Sequence, residues 1–128
     1  MPSDLPLTEL FLRGDIDHRT FRHADHVRVG FELLQAHDFS TAAWMFSAAL
    51  KAIAVRAGNS RAYHQTITLA FLALIAERSA ARAFSDFEDF ARANPDLMGK
   101  AVLERWYAPE RLRSDLARRI FLLPEAAR

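Results

Sequence analysis

Three of the five histidines stand at positions a helix would ordinarily give to leucine. In the segment Phe21-Arg22-His23-Ala24-Asp25-His26, a wheel of about 100° per residue puts His23 and His26 on one face with Val27, Gly30, Leu33 and Leu34. Asp25, Arg28, Glu32 and Gln35 take the opposite, solvent-facing side. Residues three apart on a helix are neighbours, so the two imidazoles can converge. A second segment repeats the pattern. Ile67, Phe71, Leu74 and Ile75 form an apolar arc, and His64 falls in line with it. Thr68 lies one turn further on the same face, and Tyr63 sits at the edge. His37 extends the face of His23 but stands about 21 Å of helix rise away, too far to share a site.

An imidazole buried without partners costs free energy, so each of these rings needs an account. One account is a metal. Neutral imidazole is the commonest metal ligand, His-x-x-His presents two rings on one face, and His64 from a neighbouring helix would complete the set His23, His26 and His64. Three protein ligands leave a position open for water or a small molecule, and zinc, copper and iron all suit such a site. The chemistry it would support is activation of a bound water or substrate. His18, Asp17 and Tyr63 are candidates for a fourth ligand. The hydroxyls of Tyr63 and Thr68 are placed to orient a ring from behind. Asp25 turns outward and is expected to form a solvated pair with Arg28. The pattern is not the metalloprotease His-Glu-x-x-His.

The other account needs no metal. Each imidazole would donate to a backbone carbonyl, a threonine or a buried water, giving a helical interaction or ligand-binding module with a buried histidine network. Such a network responds to pH, because a buried ring must stay neutral or be partnered.

Either account depends on the elements that carry the rings. A short helix over 5–13 ends at Gly14, and 14–20 reads as a loop with Thr20 as N-cap. Helices follow over 21–37, 41–57 (ended by Gly58-Asn59) and 60–82 (capped by Ser60). Ser85 to Glu88 is a capping-box pattern opening a helix to residue 93. Asn94-Pro95-Asp96 breaks it, a further helix covers 97–106, and Pro109 opens a last one to about residue 120. The 41–57 helix is apolar on nearly every side and is expected at the centre of the domain. Were the 21–37 and 60–82 helices antiparallel, the three rings would never meet. Short turns at 38–40 and 58–60 favour instead two antiparallel crossings. These leave the 21–37 and 60–82 helices parallel, with His23, His26 and His64 at one end of the bundle. Phe84, Phe87, Phe90, Leu97, Leu103, Trp106, Tyr107, Leu112, Leu116 and Phe121 supply the packing of the second half.

Composition agrees with this architecture. Ala, Leu and Arg make up 54 of 128 residues, while Val and Ile together number nine, which favours helix over sheet. The expectation is all-α, one compact helical bundle over 1–128 with a central apolar helix. The absence of cysteine excludes a disulfide scaffold, a thiolate metal site and a cysteine nucleophile. A net charge of +1 gives no global attraction to nucleic acid, and the arginines near 105–119 alternate with acids. Asp115, Arg118 and Arg119 read as a solvated ion-pair set. No Gly-x-Ser-x-Gly elbow and no phosphate-cradling glycine loop occurs. No apolar run approaches the length of a membrane span and no targeting segment is visible, so a cytoplasmic location is expected. The excess of Arg over Lys points to high-GC coding and a bacterial source.

The order Phe-x-His-x-x-His (Phe21 to His26), Tyr-His-x-Thr-x-Thr (Tyr63 to Thr68), then Trp-Tyr and Ala-Arg-x-x-Phe (Ala117 to Phe121) resembles a family of small bacterial all-helical proteins. That resemblance implies a helical fold and no particular activity.

Overall fold

Residues 6–125 are described by the computed structural model, and among them there are helices, turns and no strand. The α-helices are α1 (Leu7–Arg13), α2 (His23–Ala36), α3 (Phe39–Arg56), α4 (Gln65–Ala80), α5 (Phe87–Ala93), α6 (Pro109–Leu112) and α7 (Asp115–Arg119). Short 3-10 segments occupy Ser60–Ala62, Pro95–Met98 and Lys100–Arg105.

Local signals set most of the boundaries. Gly14 (φ 76°) and Gly58 (φ 75°) take the left-handed conformation that ends α1 and α3, as their positions predict. Asp38 caps α3 by accepting from Thr41 N–H at 2.8 Å, so that helix starts at Phe39 instead of after a 38–40 turn. Ser60 opens only a 3-10 turn, while His64 caps α4. Other starts differ from expectation. The N-cap of α2 is Arg22 rather than Thr20, which leaves Phe21 just outside the helix. Phe21 then stacks on His26 one turn inside, 4.5 Å between centroids, in the manner of a hydrophobic staple. Asp25 accepts from Arg22 N–H at 2.9 Å, so it closes the helix start and is not the partner of Arg28, which pairs with Glu32 and Glu88. The box at α5 is shifted by one residue, with Asp86 rather than Ser85 as N-cap. The expected 97–106 and 109–120 helices are each divided. Gly99 separates two 3-10 segments, and Ser114 caps a new start at α7.

Packing corrects the expected centre. There is a central apolar helix, but it is α4, not the 41–57 segment. On α3, Trp44 is 72 % and Val55 64 % exposed, and only Ala42, Phe46 and Ala54 are buried. Its inner side rests on α1, α2 and α4 while its outer side faces water. By contrast α4 is covered by α2, α3, α7 and the Lys100–Arg105 segment. It buries Thr66, Thr68, Phe71, Leu72, Leu74 and Ile75. Gly30 on α2 lets the two axes approach, since a Cβ there would stand 3.2 Å from both Ile75 and Leu72. Val29 and Leu33 join a core with Phe11, Phe46 and Leu72. On the other side Val27 and Phe31 join Phe71, Ile75, Phe90 and Leu103. Trp106, Leu116 and Phe121, expected as packing residues, are exposed.

Candidate functional site

The N-terminal ends of α2 and α4 and the C-terminal end of α3 meet at one end of the bundle, as two antiparallel crossings require. Between them lies an open cavity of about 670 Å³. Phe46, Leu50, Ile53, Ile67, Phe71 and Ile75 form its apolar wall, and His23, His26, His64, Tyr63 and Thr68 all line it. The three histidines lie at one end of the bundle, as the parallel arrangement requires, and there they line one cavity. Their hydrogen bonds give them different roles.

His64 is the N-cap of α4 rather than a residue within it. Its Nδ1 accepts from Ile67 N–H at 3.1 Å, and its Nε2–H donates to Leu112 O at 2.6 Å. This assigns the neutral Nε2–H tautomer and uses both ring nitrogens. Burial also holds its pKa below the usual imidazole value, the Leu112 carbonyl opposing and Arg118 adding to the shift. The expected role of His64 as third metal ligand would therefore sacrifice either the helix cap or the tie to Leu112. Among the described residues, no group of three His, Asp or Glu side chains is arranged to hold a metal ion.

His23 donates from Nε2 to Leu97 O at 3.0 Å, which leaves Nδ1 as its free acceptor. Its ring edge meets Phe71 at 4.8 Å and lies 6.5 Å from His26. The His26 imidazole makes no hydrogen bond among the described residues, its backbone N–H being the donor that bonds, to Arg22 O. It is sandwiched between Phe21 and His23, and its ring faces the cavity. Burial depresses both pKa values, with that of His26 falling to about 4; the His23 and Lys100 charges add to that shift. At neutral pH the pair is uncharged and offers acceptor nitrogens and the His26 N–H on an otherwise greasy wall.

The remaining candidates are placed as follows. Tyr63 donates to Gln65 Oε1 at 2.6 Å, its ring beneath Lys51, and burial raises its pKa. Thr68 donates to the His64 carbonyl at 2.7 Å, so it secures the backbone and not the imidazole. Neither hydroxyl orients a ring as expected. Asp17 is exposed and bound to Arg19, whereas His18 sits exposed at the cavity rim. His37 is exposed at the end of α2, away from the cavity.

Sequence reasoning missed two contributors. Lys100 and Arg118 reach the cavity from the second half of the chain, and neither lies on a helix whose periodicity pointed there. It also missed Thr66. This buried hydroxyl donates to Ile120 O at 2.7 Å and accepts from Leu122 N–H at 3.0 Å, fastening the C-terminal segment to α4.

Comparison with protein families, with curated proteins and with solved structures finds no match to this chain.

Proposed function

We propose that this protein binds a small organic molecule in the cavity at the N-terminal ends of α2 and α4. One observation carries the reading. A cavity of about 670 Å³, within the range that holds a small ligand, combines an apolar wall with two adjacent imidazoles whose ring nitrogens are not all spent on the protein. A core histidine that serves only packing finds partners for its nitrogens, as His64 does. His26 does not, and its polarity is available to a ligand. The body of the ligand lies against Ile53, Ile67 and Phe71, and a polar group meets His23 and His26.

The test fills the space. Ala57 lines the cavity from the C-terminal end of α3, so Ala57→Phe occupies it without cutting into the core. Thermal-shift screening of simple amphiphiles should stabilise the parent protein and not Ala57→Phe. Equal shifts in both would refute the cavity as the site.

A second reading retains a metal, supported by the adjacency of His23 and His26. These two rings would supply two ligands to zinc, copper or iron, and water or substrate the rest. Elemental analysis of tag-free protein decides it. Stoichiometric metal lost in His26→Leu but kept in His64→Ala would establish a two-histidine site, and metal-free protein would remove this reading.

A further inference from the structure

The charged side chains that line the cavity are all of one sign, and the nearest opposing charge is Asp25, which acts on His26 from outside the lining. Arg22, Lys100 and Arg118 line it, and among the described residues no Asp or Glu does. The chain as a whole is balanced, with 17 basic against 16 acidic residues, so this bias belongs to the site. Elsewhere the described cations are commonly matched. Arg28, Arg78, Arg82, Arg105 and Arg119 each pair with a carboxylate, and Asp96 takes two of these five. Around the cavity Arg118 spends one donor on the Arg61 carbonyl, and Lys100 stands exposed near the two open imidazoles. Cations with no carboxylate partner among the described residues, beside a low-dielectric wall, raise the local concentration of anions and strengthen their binding.

We infer that the ligand is an anionic amphiphile, its apolar body on the α3–α4 wall and its carboxylate or similar monoanion between Lys100 and the His26 N–H. This rests on the cavity reading above and adds the charge of the head group. The imidazoles contribute a hydrogen-bond donor from His26, and Lys100 contributes charge. Arg118, near His64, attracts the same sign from the other side of the cavity.

Calorimetric titration with octanoate, octan-1-ol and octylamine separates the two claims, since these share a chain and differ in head-group charge. Octanoate is expected to bind about tenfold tighter than octan-1-ol, with octylamine weakest. Lys100→Gln should weaken octanoate about three- to tenfold and leave octan-1-ol unchanged, and Lys100→Arg should restore it. Raising the salt concentration should weaken octanoate alone. If octan-1-ol or octylamine binds as tightly as octanoate, the cavity reading stands and the anion inference is overturned. If none of the three binds, both fall together.

Discussion

At the scale of single residues, the three inward histidines illustrate how one side chain can serve opposite ends. His64 has both nitrogens committed to the protein and closes a helix. His23 has one committed, to Leu97. His26 has none committed, and it is the ring pushed to a pKa of about 4. The consequence for stability has a definite sign. Because the folded state holds His26 neutral to about pH 4 while the unfolded chain protonates it near 6.5, the unfolded state binds more protons between those values. Stability therefore falls as the solution is acidified through that window, by about 3 kcal/mol for this ring. His26→Leu should lose less stability than the parent between pH 7 and pH 4.5 in urea unfolding. Identical losses would mean that His26 is not shielded from water. An anion bound beside the ring should reduce the same loss by favouring the protonated form.

At the scale of elements, exposure and burial distinguish α3 from α4, although both sequences are apolar. Trp44 on α3 projects into water, so Trp44→Ala should change unfolding free energy by no more than about 0.5 kcal/mol. A loss of several kcal/mol would instead restore α3 to the centre. On α4 the small polar residue matters more than the large apolar one on α3. Thr66 is fully buried and bridges Ile120 and Leu122. Thr66→Val keeps its shape but strands a buried donor and an acceptor, at a cost of about 1–3 kcal/mol. Hydrogen exchange should then report faster exchange at Leu122 N–H in the variant. Unchanged protection there would show that the C-terminal segment is held by packing alone. The Arg78–Asp96 pair with Asn94 does comparable work at the other end of α4, and Arg78 holds the Asp96 carboxyl below the usual carboxylate range.

At the scale of the whole molecule, the cavity exists because three helix ends meet while their shafts stay close. Gly30 sets that closeness, with Ile75 and Leu72 already near the position a Cβ would take. Gly30→Val should separate α2 from α4 and destabilise the fold by about 1–3 kcal/mol, and it should weaken binding of octanoate as the walls part. A variant that unfolds as the parent does would place the α2–α4 contact elsewhere. The exposure of Trp44 and Val55 follows from the same arrangement. Once α7 and the Lys100–Arg105 segment cover α4, one side of α3 has no neighbour among the described residues.

Much of this was legible in the sequence, because helices are specified locally. Glycines in the left-handed conformation and a 3.6-residue period depend on neighbours within a few positions, so the helical class, the breaks between the first helices and the inward face of His23 and His26 could be read directly. The shared end of the three histidines followed from two short turns. What the rings do there could not be read, since their partners are remote in sequence: Leu97 lies 74 residues from His23 and Leu112 lies 48 from His64. The same holds for Lys100 and Arg118 at the cavity and for the choice of α4 over α3 as the centre. A periodicity states which side of a helix avoids water. Only tertiary packing decides which segment covers that side, and so which polar atoms remain free for a ligand.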